Sequence, residues 1–359
     1  PHGDGGAGGV CVGSFERTRE ASTSRPAKTS SGAGDRTRYP TPKEKAAGKG
    51  ERVTDKSKSR AEGLWALVPS RANLRDVTLR DGLQSESIVM DLQDKLSLTE
   101  VMIDAGIREM EVTAFVHPGK VPAMADAERL WQALPRRPDV SFSALVFNQR
   151  GLDRALEAGV DRIAVVVSAS EAHSRRNTGK GIEASLEEAR EVLARAVKEG
   201  VTTRAGVMSA FGCRLEGSIP AERVTRIARA LNEMGPEEMT LADTSGTGDP
   251  RQILERVASC QDFLGGVRIS LHLHDATGWA LANLMAALQL GVETFDVTLG
   301  GLGGCPFLPG APGNLAVHRV VRFLDAMGIA TGVDVDKLQG GLQALERMVD
   351  RRLVVDREG

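Results

Sequence analysis

After Leu64 the chain alternates short β-rich runs with longer amphipathic stretches, and eight such runs leave few architectures open. The strand candidates are 73–79, 108–114, 141–147, 162–168, 202–208, 238–242, 268–274 and 294–299. Between them lie stretches such as MDLQDKLSLTEVMIDAG, SLEEAREVLARAVKEG and AERVTRIARALNEMG. These are apolar at three- and four-residue spacing and stopped by glycine, as helices are. Eight strand and helix pairs in about 270 residues suit an α/β chain folded as a (β/α)8 TIM barrel, which typically takes about 250 residues. A doubly wound open sheet would want a phosphate-binding glycine turn after its first strand, and LRDGLQ is not one.

The first 62 residues read differently. They are Gly, Ser, Thr, Lys and Arg with hardly any large apolar side chain, so burial cannot repay the entropy of ordering them. We expect a disordered N-terminal extension over residues 1–62, then a catalytic barrel over 63–359 with a short helical tail. The extension holds 13 basic and 8 acidic residues, so a net charge of -2 for the chain hides a body at about −7, which gives no general pull towards nucleic acid. Asp4, Glu16, Glu20 and Asp35 speak against an organelle transit peptide, which is poor in acids. No apolar run approaches the roughly 20 residues that span a bilayer, so no membrane partner is expected. Cys11, Cys213, Cys260 and Cys305 form no CxxC pair, which points to neither a disulfide framework nor a structural zinc site. A reducing compartment is the simpler reading. The cytoplasm is expected, with the mitochondrial matrix as the alternative.

A barrel of this kind places its chemistry where strands end, at the C-terminal rim. The polar residues obey that demand. Arg80 and Asp81 close the first strand candidate, Glu111 falls late in the second, Ser168 and Ser170 follow the fourth and Asp243 ends the sixth. His272 and His274 end the seventh, and because alternate residues of a strand share a face, both imidazoles point one way and can grip one ion. Asp81, His272, His274 and the amide oxygen of Asn314 make a mixed oxygen and nitrogen set suited to octahedral Mg²⁺ or Mn²⁺. Zinc stays open, since Cys305 could supply a thiolate. Cys305 itself stands in a loop of glycines and prolines, GGLGGCPFLPGAPGN, with little around it to make a core.

These segments resemble the hydroxymethylglutaryl-CoA lyase family, within the wider group of metal-dependent barrel lyases and Claisen-type synthases. The likeness runs from about Leu74 to Val333. VTLRDGLQ is similar to the family's first-strand motif, which implies that Arg80 stabilises enolate charge, Asp81 binds metal and Gln84 helps hold substrate. The glycine-rich loop resembles the family's cysteine loop, with Cys305 as catalytic thiol and Asn314 as ligand. Glu111 in MEVTAF and Asp243 in LADTSG match acidic positions of the family site. We expect Glu111 to orient its neighbours and Asp243 to be able to act also as a base. Ser170 and Thr244 are expected at the substrate, and SASEAHSRRNTGKG resembles the family's loop near the acyl-CoA, where Arg175, Arg176 and Lys180 could meet phosphates.

The resemblance implies a divalent-metal-dependent lyase that cleaves 3-hydroxy-3-methylglutaryl-CoA, with an acyl-CoA as its small-molecule partner. We expect a homo-oligomer, a dimer. Three departures bear on the acyl substituent: no proline precedes Arg80, His117 often has a serine counterpart, and LAVHR follows Asn314 where an acidic pair is common. The alternatives are a lyase for a related 3-hydroxy-3-alkylglutaryl-CoA, an isopropylmalate- or citramalate-type synthase, and a non-catalytic barrel. A lost metal ligand would mark the last, and none of the four is missing.

Overall fold

A computed structural model of the chain describes residues 63, 65–86, 88–303 and 313–353. The expected extension over 1–62 and the cysteine loop around Cys305 lie outside the described residues. Eight parallel strands, β1 (Asn73–Asp76), β2 (Glu109–Ala114), β3 (Ser141–Leu145), β4 (Arg162–Ser168), β5 (Thr202–Met208), β6 (Glu238–Asp243), β7 (Arg268–Leu273) and β8 (Thr294–Val297), pair in sequence order, and β8 closes on β1. The fold is a closed TIM barrel, and no open sheet edge is left among these strands.

Helices follow the strands: α1 (Leu92–Asp104), α2 (Ala127–Ala133), α3 (Gln149–Glu157), α4 (Glu171–Thr178), α5 (Ile182–Lys198), α6 (Ala221–Asn232), α7 (Pro250–Leu264), α8 (Ala280–Leu288), α9 (Val317–Asp325) and α10 (Gln339–Val349). Their starts are written locally. Asp91, Asn148 and Asp249 each accept a backbone N–H of the first turn, and Asp249 completes a capping box with Gln252 behind Pro250. The outward faces of the strands and the inward faces of the helices form one apolar shell, with Leu130, Leu152, Ile163, Val192, Ile227 and Leu284 fully buried in it. No described helix is long and apolar enough to cross a membrane.

β1 and β8 end earlier than their hydrophobic runs suggest, and Thr78 supplies the reason. Asp76 accepts the Thr78 N–H at 2.9 Å and its hydroxyl at 2.7 Å, which turns the backbone out of the strand. The N–H groups of Asp81 and Gly82 then both reach back to the Val77 carbonyl, so Thr78–Gly82 forms a π-helical turn. The Thr78 hydroxyl also accepts the Leu299 N–H at 2.8 Å, where the chain leaves β8. Arg80 and Asp81 therefore stand on a turn beyond β1 instead of at the strand's end. Glu111 is the third of six residues in β2, deeper than expected, with its side chain inside the barrel.

Candidate active site

Three groups meet at the mouth. His272 Nε2 lies 3.0 Å from His274 Nε2, and Asp81 Oδ2 lies 3.7 and 3.6 Å from those two nitrogens. Among the described residues these side chains form the cluster whose donor atoms could share one ion. β7 carries His272, and His274 follows one residue past its end, where it bridges Asn314. Asn314 comes in on a returning segment held by two backbone hydrogen bonds, Asp275 N–H to Gly313 O at 2.8 Å and Leu315 N–H to Leu273 O at 3.2 Å. Its amide nitrogen donates to Asp81 Oδ2 at 2.8 Å and to the Leu302 carbonyl at 3.2 Å. Gly303 lets these parts approach: at φ +98, an added Cβ would sit 2.8 Å from that amide nitrogen and 3.3 Å from Gly82 Cα.

The arrangement fits a cation. Two imidazole nitrogens about 3.0 Å apart match two ligands at right angles about an ion with donor distances of about 2.1 Å. Asn314 Oδ1 is buried with no hydrogen-bond partner, and a buried amide oxygen in that position asks for a positive charge. Burial works to raise the Asp81 carboxyl, yet the neighbouring Arg80 guanidinium and the two imidazoles hold it well below the usual range. It is ready as an anion.

Below the cluster runs a chain of buried charges. Arg80 Nε donates to Glu111 Oε1, Arg204 Nη2 donates to Glu111 Oε2, and Arg204 Nη1 lies 3.6 Å from Asp296 Oδ2. Asp296 Oδ2 also meets His272 Nδ1 at 3.1 Å, while Asp296 Oδ1 accepts from Arg75 Nη1 at 3.1 Å. Arg75 in turn donates to Glu238 and Glu109. The register explains the contacts, because Asp296 pairs across with His272 on one side and Arg75 on the other. Burial opposes every charge here and the partners overrule it. Asp296 is held far below the ordinary carboxylate range by Arg75, His272 and Arg204, and Glu238 is pushed down to about 2 by Arg75, Arg204 and Arg268. Burial works to lower His272, but Asp296 and Asp81 raise it.

The other expected residues divide. Gln84 and Thr244 line the cavity at the mouth, about 410 Å³, together with Arg80, Asp81, Glu111, His272 and His274. Ser170 is fully buried and turned away, capping α4 at His173 N–H and donating to Glu216 at 2.8 Å. Asp243 is fully buried too. Its carboxylate accepts the N–H groups of Thr247 and Gly248 at 3.2 and 2.9 Å, and burial raises its pKa despite those bonds and the nearby His274. Arg176 lines the cavity; Arg175 and Lys180 pair with Glu171 and Glu188 at the surface. Cys305 lies outside the described residues.

Arg75, Arg204 and Asp296 were not singled out from the sequence. Their signal was present, since a charged residue inside an apolar barrel strand, as in TTRAGVM and TFDV, is buried at a cost unless it is paired across the interior.

Comparison with known proteins bears on the whole arrangement. A hydroxymethylglutaryl-CoA lyase of Bacillus subtilis is 39% identical over 285 residues, covering 79% of this chain and 95% of the relative. The crystal structure of the Bacillus subtilis HMG-CoA lyase superposes with a TM-score of 0.77 at 38% identity, over 80% of this chain and 97% of that one. An HMG-CoA lyase of Acinetobacter baumannii, solved in complex with coenzyme A and 3-methylmalate, gives 0.76 at 30% identity over 80% and 94%. The family model described as HMGL-like matches residues 71–344. That span holds the closed barrel, the Asp81, His272 and His274 cluster and the charged chain beneath it, and the protein belongs to the HMGL-like family.

Proposed function

We propose that the chain is a divalent-metal-dependent carbon-carbon lyase that cleaves 3-hydroxy-3-methylglutaryl-CoA to acetyl-CoA and acetoacetate. The observation that carries this reading is the cluster of Asp81, His272 and His274, set at the barrel mouth beside the Arg80 guanidinium. Asp81, His272, His274 and Asn314 would hold Mg²⁺ or Mn²⁺. When bound, the ion supplies Lewis acidity, which lowers the pKa of a coordinated hydroxyl so that a modest base can take its proton.

The residues divide the remaining work. Asp243, buried beside the His274 end of β7, is assigned the proton of the substrate's tertiary hydroxyl. As the alkoxide collapses to a ketone, the C2–C3 bond breaks and its electron pair passes to C2 as the enolate of the thioester. Arg80 holds that charge, and Glu111 fixes the guanidinium by taking its Nε–H while being held itself by Arg204. Gln84 and Thr244 line the cavity where the acyl portion would lie. Cys305 is assigned the proton that completes acetyl-CoA, delivered by its glycine-rich loop, whose closure also keeps water from the carbanion.

The test is direct. The purified protein with Mg²⁺ or Mn²⁺ should release acetyl-CoA and acetoacetate from 3-hydroxy-3-methylglutaryl-CoA, and chelation should stop it. No release with either ion would overturn the assignment.

A further inference from the structure

The cavity wall is divided. One half, from the turn after β1 together with β2, β7 and β8, presents Arg80, Asp81, Glu111, His272, His274 and Asp296. The other half, from β3 to β6, is largely apolar: Leu145 and Phe147 at β3, Ala164 and Val166 of β4, Met208 of β5 and Ala242 of β6. Ala242 pairs in register with His272, so the apolar half stands at the depth of the ligand cluster. That is the depth of the reacting carbon, well inside the mouth through which a coenzyme A arm must leave.

Its side chains are small where they could be large. Ala164 and Ala242 fill little, and Gly206, paired in register with Val166, has no side chain at all. A Cβ on Gly206 would come 3.1 Å from Val166 Cγ1 and 3.4 Å from Thr240 Cβ, so the missing group is what lets Val166 lie back against the wall. Val166, Phe147 and Met208 are each half-buried, with surface left open.

Resting on the lyase reading above, we propose that this wall is a subsite for the C3 substituent and accepts 3-hydroxy-3-alkylglutaryl-CoA thioesters with branched alkyl groups of four to six carbons. With the hydroxyl at Asp81, His272 and His274 and C2 towards Arg80, the fourth group on tetrahedral C3 is directed at the apolar half. A methyl group covers only part of it. The reaction balances as before: the C2–C3 bond breaks, the hydroxyl proton leaves as C3 becomes a ketone, C2 takes up a proton, and the alkyl group stays on the 3-oxoacid. Added methylenes in an apolar pocket change affinity by roughly 10- to 200-fold each when the fit is good, so the preference is measurable.

The experiment uses two pairs of compounds with the Mn²⁺-loaded full chain. Affinity is measured for 3-methylglutaryl-CoA and 3-isopentylglutaryl-CoA, which lack the hydroxyl and cannot be cleaved, and turnover for the two hydroxylated forms. The isopentyl compound should bind at least tenfold more tightly. Val166→Phe, which places a ring over the wall, should lower the isopentyl-to-methyl affinity ratio at least tenfold, and the milder Val166→Leu should lower it less. Weaker binding of the isopentyl compound to the native protein, or an unchanged ratio in a folded Val166→Phe, would overturn the subsite. The expected binding order without cleavage of either hydroxylated compound would uphold the subsite and overturn the lyase reading instead.

Discussion

His272 Nδ1 sits 3.1 Å from Asp296 Oδ2, so the ring that offers Nε2 to the ligand cluster is fixed from behind by a buried carboxylate. The contact selects the tautomer with the proton on Nδ1 and keeps the Nε2 lone pair for a ligand. Partners of this kind are worth about 10- to 100-fold in metal affinity. Asp296→Asn should therefore weaken Mn²⁺ binding by about that factor in a titration. Because Asp296 also lies between Arg75 and Arg204, the variant should lose about 3 kcal/mol of stability as well. A folded variant with native Mn²⁺ affinity would show that the contact does not orient the ligand.

Replacing His272 or His274 with Ala should abolish metal binding and turnover together, since each substitution removes a donor from the same cluster. Both rings stand at the mouth, above the apolar shell, so circular dichroism should show the barrel intact. Native turnover in either variant after chelation and Mg²⁺ readdition would remove that histidine from the ligand set.

Cys305→Ser separates proton donation from packing. A thiol that acts only in the transition state is not needed to bind substrate, so kcat should fall roughly 10²- to 10⁴-fold while KM changes little. Metal content and melting temperature should stay put. A fall in bound metal with the rate would instead make Cys305 a ligand.

Asp76 makes a pH prediction. Burial raises its carboxyl to about 7, although Thr78 donates two hydrogen bonds to it. In the unfolded chain it titrates near the model value 3.8. Between those values the folded state binds the proton and the unfolded state does not, so this group's contribution falls as pH rises from about 4 and is gone above about 7. Asp76→Asn should flatten that slope in urea melts between pH 5 and pH 8. An unchanged slope would mean that Asp76 ionises normally in the fold.

The architecture was legible in the sequence because each strand and helix declares itself locally. A parallel strand covered on both faces is a run of apolar residues, and helices repeat apolar positions every three or four residues whatever lies beyond them. The β4 and β5 boundaries fall where their runs do, at Arg162–Ser168 and Thr202–Met208. His272 and His274 were visible for the same reason, since strand alternation alone puts them on one face.

Other features depended on partners distant in the chain. Thr78 cuts β1 short through Asp76 and ties that turn to Leu299, a contact across 221 positions. Ser170 reads as a rim residue from its place after β4, yet Glu216 claims its hydroxyl. Arg75, Arg204 and Asp296 each look like an isolated charge in a strand until closure of the barrel brings them together, because the register between neighbouring strands decides which charges meet. Local periodicity determined the elements; tertiary structure decided which buried charge is neutralised by which, and so how the ligand cluster is held.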